Sequence, residues 1–156
     1  MKYQVIWVGS TSDVEFRTAI DRYLSRIRHF FPIEVVEIAA EKQRQKKNDA
    51  IVRRAESSRL IEAIPSRGET VVLDERGKLL DSLRFAKWLE GKATSNPWGV
   101  SFVLGGDAGL DDDIRSRGDL VLALSPMTLP HELARVVLLE QVYRACTLMR
   151  NMPYHK

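Results

Sequence analysis

Val100-Ser101-Phe102-Val103-Leu104-Gly105-Gly106-Asp107-Ala108-Gly109 is the stretch on which the reading of this chain turns. Val100–Leu104 is a short apolar run with β-branched and aromatic residues, the signature of a buried strand. The glycines end it, and Asp111–Arg117 then carries a short helical pattern. Strand, glycine turn and helix together make one step of a parallel α/β fold. As a nucleotide fingerprint the cluster fails. Its spacing is Gly-Gly-x-x-Gly rather than Gly-x-Gly-x-x-Gly, it follows the fourth strand instead of the first, and it has no P-loop lysine. Alone it is either a loop whose bare backbone approaches a ligand or a tight turn between two elements.

Outward from this stretch the same alternation fills the chain. Tyr3–Val8 reads as a strand ending at Gly9. Ser12 or Asp13 caps a helix to about Arg28, in which Phe16, Ala19, Ile20, Tyr23, Leu24 and Ile27 keep helical spacing. Ile33–Ala39 is a second strand, Glu41–Lys47 a basic loop, and Asn48 or Asp49 caps a helix to about Ala63. Thr70–Leu73 is a third strand. Asp74–Gly77 follows as a turn with Gly77 expected at positive φ. Asp81 or Ser82 opens a helix to Gly91, Asp119–Leu124 is a fifth strand, and Pro130 to about Asn151 is the longest helix. Strand and helix alternate throughout. That order predicts an α/β fold, an open, mainly parallel sheet with helices on both faces, in a single domain over residues 1–156.

Composition narrows the function classes. The longest apolar runs, such as Val136–Leu139, are far shorter than the ~20 residues of a membrane span. The N-terminus starts directly with strand-like sequence, without the basic-then-apolar pattern of a leader, so the expected compartment is the cytoplasm and no membrane partner is expected. One cysteine excludes an internal disulfide, and with three scattered histidines it argues against a metal site. The net charge of +3 permits a polyanionic partner without demanding one. Its distribution says more. Lys42, Arg44, Lys46, Lys47, Arg53 and Arg54 form one basic cluster, and Arg144, Arg150, His155 and Lys156 form another. Each is either solvated surface charge or a nucleic-acid contact.

In open α/β sheets ligands bind beyond the carboxyl ends of strands. That rule selects Leu73-Asp74, Gly105–Gly109 and Leu124–Leu129. The last belongs to Leu124-Ser125-Pro126-Met127-Thr128-Leu129-Pro130-His131, where two prolines keep the backbone irregular and leave its N–H and C=O groups free. Free backbone groups can read an adenine edge while Leu124, Met127 and Leu129 supply an apolar pocket. The simpler reading is a helix entry with Thr128 as N-cap and Pro130 in the first turn. In the long helix Glu140, Arg144, Thr147 and Asn151 fall on one polar stripe, and most other positions are apolar. A helix this apolar is buried on more than one side, which predicts a subunit interface as well as a core. Cys146, in that setting, reads as packing. The tail Pro153-Tyr154-His155-Lys156 is either frayed or a place to stack on a base and hold phosphate.

Together these features resemble the family of ribosomal RNA large subunit methyltransferase H. The matching stretches are Phe102–Leu110, Leu124–His131, Arg135–Ala145 and Tyr154-His155-Lys156, with Val8-Gly9 near the start. The resemblance implies a SPOUT fold with a C-terminal trefoil knot and a homodimer. It implies S-adenosylmethionine as cofactor, and methylation of N3 of a pseudouridine in 23S ribosomal RNA, in helix 69 of the assembled ribosome. By position it assigns Leu73, Gly105, Leu124, Ser125, Pro126, Met127, Thr128 and Leu129 to the cofactor. Arg144, Tyr154 and His155 take the active-site and RNA contacts. Asp107-Ala108 departs from the residues that other members carry between the glycines, and puts an acid near the cofactor.

The N3–H of a pseudouridine is weakly acidic, so its proton must leave as the methyl group arrives. His155 is the titratable candidate. Arg144 either stabilises the developing anion on the base or forms a helix pair with Glu140. Two other classes compete with this reading. One is a non-catalytic RNA- or ribosome-binding factor on the same fold. The other is a nucleotide-using α/β enzyme with Gly9-Ser10-Thr11 as its phosphate loop, which lacks the expected glycines and lysine.

Overall fold

The five apolar runs become strands, and their period of two builds two cores rather than one. In a computed structural model, which describes residues 1–41 and 48–154, the strands are β1 (Tyr3–Val8), β2 (Ile33–Ile38), β3 (Glu69–Leu79), β4 (Val100–Leu104) and β5 (Leu120–Ala123). They form one sheet in the order β2-β1-β4-β3-β5, with every pairing parallel. Val5, Trp7, Val71, Phe102 and Leu104 point to one face. Ile6, Val8, Val72 and Val103 point to the other. The helices α1 (Val14–Arg28), α3 (Ser82–Ser95) and α5 (His131–Met149) cover the first face, with α5 packed against both α1 and α3. The helices α2 (Asp49–Ala63) and α4 (Asp112–Arg115) cover the second. The expected parallel sheet with helices on both faces is therefore present. No helix among the described residues is long and apolar enough to cross a membrane. The basic loop expected over Glu41–Lys47 lies outside the described residues beyond Glu41.

Where two cap residues compete, hydrogen bonding selects one. Asp13 accepts from the backbone N–H groups of Glu15 and Phe16. Asn48 accepts from Ala50, and Asp81 from Arg84. Helix α3 runs past Gly91 to Ser95, because Gly91 faces open space and an exposed glycine costs a helix only about 1 kcal/mol. The expected Thr128 cap of α5 is not formed. Pro130 holds the N-cap position without a side-chain bond, and Thr128 donates instead to Glu75 Oε2 at 3.3 Å. The expected polar stripe on α5 also breaks: Thr147 is fully buried and returns its hydroxyl to the carbonyl of Arg144 at 2.7 Å. Asn151 lies beyond the helix at φ 54°.

The largest departure is β3. The sequence predicts a strand to Leu73 and a turn, but the strand continues to Leu79 through a bulge. Leu73 and Lys78 both pair with Leu122 of β5, so residues 74–77 are pushed out of the ladder. Gly77 is not at positive φ. Its requirement is space: a Cβ there would stand 2.7 Å from the backbone of Leu122. Gly77→Ala is expected to destabilise the chain by about 1–3 kcal/mol, the range for overpacking, measured by denaturant unfolding. An unchanged midpoint would refute the close approach.

Candidate functional site

Adjacent strands bring three loops to one place. Leu73 pairs with Leu104 on one side and with Leu122 on the other. The carboxyl ends of β4, β3 and β5 therefore stand side by side, and the chain leaving each of them lines one open cleft of about 720 Å³. Its floor holds six leucines, Leu73, Leu104, Leu110, Leu122, Leu124 and Leu129. Of the expected cofactor positions, Leu73, Gly105, Leu124, Ser125, Met127, Thr128 and Leu129 line it, and Pro126 does not. Gly109 takes φ 74° and donates its N–H to Gly106 at 3.0 Å, which folds the glycine loop into a tight lip.

Residues 125–129 make no backbone-to-backbone hydrogen bond among the described residues; Met127 N–H donates to Ser125 Oγ at 2.9 Å. The other backbone groups of this loop are available to a ligand. An apolar floor edged by free N–H and C=O groups, at this volume, suits an adenosine-sized molecule. The donor set thus fits the adenosyl part of S-adenosylmethionine.

Charged residues brace the lips. Asp74 is largely buried and accepts from Arg76 N–H at 2.9 Å, Arg76 Nε at 3.2 Å and an Arg115 terminal nitrogen at 3.0 Å. Burial alone would raise its carboxyl, but these donors outweigh burial and hold it below the usual carboxylate range. Arg115 also donates to the Leu110 carbonyl at 2.8 Å and pairs with Asp112, so the β3 bulge and the β4–α4 loop share one anchor. Asp107, which the sequence leaves between cofactor and solvent, lies 2.7 Å from Nδ1 of His131. That contact ties the glycine loop to the first turn of α5.

The first turn of α5 is tied to the β1–α1 loop as well. Glu132 accepts from the N–H and hydroxyl of Ser12 at 2.7 and 2.8 Å and from the N–H of Asp13 at 3.1 Å. The Ser12 backbone donor first, then its hydroxyl and the Asp13 donor, pull the Glu132 carboxyl down to about 2. A depressed carboxyl stabilises the fold above its unfolded pKa of about 4.3, and that contribution fades as pH falls toward 2. Glu132→Gln is expected to flatten the dependence of melting temperature on pH between about 4.5 and 2. A variant as steep as the parent would show that another carboxylate governs this window.

Arg144 and Tyr154 meet each other but not the cleft. The Arg144 guanidinium lies 4.8 Å over the Tyr154 ring. It donates to Glu140 Oε1 from Nε at 3.0 Å and from a terminal nitrogen at 2.6 Å. Tyr154 donates to the same oxygen at 3.3 Å, and its ring meets the edge of Tyr143 at 4.8 Å. His155 lies outside the described residues. Arg144 follows Ala134, the last residue of α5 that lines the cleft, by 10 residues, so within one chain this cluster stands roughly 15 Å from the cleft at 1.5 Å rise per residue. Cys146 is buried and its thiol is pushed up to about 12 by burial, a packing group.

Sequence reasoning placed Arg53 only in a basic cluster and His131 only at the end of a loop motif, and gave Arg135 no role of its own. The first two line the cleft. Arg135 is fully buried in the apolar run of α5, stacked 4.9 Å over Trp7 and donating to Thr11 Oγ1 at 2.8 Å and to the Val8 carbonyl at 2.5 Å. A charge at the head of the apolar run Val136–Leu139 was the available signal for it. For Arg53 the basic cluster did not point to the cleft, because only the tertiary fold carries α2 to the glycine loop.

The family model for predicted SPOUT methyltransferases matches residues 1–155. The chain belongs to the SPOUT methyltransferases. Curated relatives named ribosomal RNA large subunit methyltransferase H place it within that branch. The proteins of Trichlorobacter lovleyi and Syntrophobacter fumaroxidans are each 39% identical, over 99% and 100% of both chains. That of Geobacter sulfurreducens is 40% identical over 99% of both. Two solved structures share the SPOUT fold. A probable methylase family protein from Haemophilus influenzae has a TM-score of 0.60 at 13% identity, covering 99% of this chain and 70% of the other. A methyltransferase from Legionella pneumophila with bound S-adenosylmethionine has 0.51 at 12%, covering 93% and 66%.

Proposed function

We propose that this chain transfers a methyl group from S-adenosylmethionine to N3 of a pseudouridine in 23S ribosomal RNA, in helix 69 of the assembled ribosome. The reading rests on family membership: the curated relatives are named for methylation of large-subunit ribosomal RNA, and the pseudouridine N3 target is what the family resemblance implies. The observation that carries it in this molecule is the cleft at Leu73, Gly105–Gly109 and Leu124–Leu129, whose apolar floor and free backbone groups suit an adenosine. Bound S-adenosylmethionine would supply an electrophilic methyl group there. The chain's own groups would do the rest. Residues 125–129 would hold the adenine edge, and the glycine loop would close over the ribose. Arg144 would stabilise negative charge on the base carbonyls as N3 loses its proton, and His155 is the proposed acceptor of that proton.

Arg144 and the cleft stand at opposite ends of α5, so one chain does not bring them together. We infer a homodimer in which Arg144, Tyr154 and His155 of one copy complete the cleft of the other. The C-terminal trefoil knot is carried over from the family resemblance in the same way. A cytoplasmic site of action and the absence of a metal from the reaction follow from the same reading.

Incubation with labelled S-adenosylmethionine and ribosomes, followed by mass mapping of the RNA, tests the proposal. Label at one pseudouridine of helix 69 is the expected result. Ribosome binding with no heat of S-adenosylmethionine binding would favour a non-catalytic binding factor instead.

A further inference from the structure

One edge of the cleft carries a guanidinium that is not tied into an ion pair. Arg53 of α2 reaches across to the glycine loop and donates to the Ala108 carbonyl at 3.4 Å, a long and weak bond. The other guanidinium that lines the cleft, Arg76, pairs with Asp74. Among the described residues Arg53 makes no ion pair within 4.0 Å and feels the exposed Asp112 carboxylate only at longer range, although it is half-buried and lines the cavity. A guanidinium fork in such a place suits a carboxylate, which it can grip with two parallel N–H donors.

The ligand proposed for this cleft has one carboxylate, at the amino-acid end. Residues 125–129 offer the free backbone for the adenine, so the amino-acid end falls toward the glycine loop. Asp107, on the far side of Ala108, turns a mostly exposed carboxylate to the cleft and repels a second one. That leaves the α2 side. We propose that Arg53 binds the carboxylate of the methionyl end of S-adenosylmethionine and so selects the full amino-acid cofactor over truncated adenosyl compounds. The inference rests on the cofactor reading above and deepens it.

The arrangement has a chemical consequence. Helix α2 already meets this region through Ser57, whose hydroxyl accepts from Asp111 N–H at 3.1 Å, so the helix that carries Arg53 is held in place before a ligand arrives. An Arg53 gripping the carboxylate would fix the rotation of the methionyl chain, and with it the direction in which the methyl group points.

The test is a cycle of side-chain charge against ligand carboxylate, read by calorimetry on the full chain. S-adenosylmethionine and its decarboxylated form differ only in that carboxylate; both keep the ammonium and the sulfonium. The parent chain should bind the carboxylated ligand about tenfold or more tightly, the worth of one charge-assisted contact. Arg53→Met should weaken S-adenosylmethionine by the same factor and leave the decarboxylated ligand within about twofold. Arg53→Lys should recover part of the difference. Equal weakening of both ligands would assign Arg53 a role in folding of the cleft and overturn the proposal. So would no change in either, including the case in which the variant raises only the apparent KM for ribosomes, which would make Arg53 an RNA phosphate contact. A parent chain that binds neither ligand would remove the cofactor reading itself and this inference with it.

Discussion

Arg144→Ala is expected to lower the single-turnover methylation rate on ribosomes by about 10²–10³-fold, the usual cost of one donor aimed at developing charge. The affinity for S-adenosylmethionine should stay within about twofold, since the side chain stands roughly 15 Å along α5 from the cleft of its own chain. Arg144 is already oriented. Two bonds to Glu140 Oε1 and the ring of Tyr154 hold the guanidinium in one direction, so little order remains to be gained when substrate arrives. Arg144→Lys keeps the charge but loses the fork and the stacking, and should recover only a small part of the rate. Mixed dimers give the sharper measurement. One chain would carry Arg144→Ala, and the other Ser125→Trp to fill the cleft. Each parent is inactive in the proposed scheme, and the mixture regains one working site per dimer. A mixture as inactive as its parents would place the whole site within one chain.

The second large effect concerns stability. Arg135→Ala is expected to cost about 3–5 kcal/mol, a large share of the ~5–15 kcal/mol that holds a domain of this size together. The melting temperature should fall by roughly 10 °C or more. Burial depresses the Arg135 guanidinium, yet the charge is retained by its environment. Its fork satisfies the Val8 carbonyl and the Thr11 hydroxyl, and its plane covers Trp7. Truncation orphans both oxygens and opens a cavity on the indole. Arg135→Met refills the space without satisfying the oxygens, so it should fall between alanine and the parent. A melting temperature unchanged in both variants would mean that water enters and replaces the guanidinium at no cost.

These two arginines show what a sequence can and cannot disclose. Arg144 stands one helical turn after Glu140, a local relation that spacing reveals. Arg135 also sits in plain view, but its partners come from residues 124 and 127 positions away in the chain. The loop Leu124–Leu129 was legible for a different reason. Prolines and hydroxyls declare an irregular backbone wherever they fall. The same residues misled at Thr128, where a favourable cap residue found Glu75 instead, because the β3 bulge brought that carboxylate within reach.

By itself the sequence determined the alternation of five strands and five helices, the parallel sheet and the three strand ends that form the cleft. Period two and period 3.6 are properties of neighbouring residues, and burial on both faces of a sheet imposes them locally. The matching motifs near the C-terminus determined the family. Tertiary structure alone decided that Gly77 must be small, that Asp107 meets His131, and that Arg53 arrives at the glycine loop from α2. Tertiary structure also placed Arg144 and the cleft at opposite ends of α5, the separation on which the proposed two-chain site rests. Contacts between distant segments depend on how elements pack, and no local spacing encodes them.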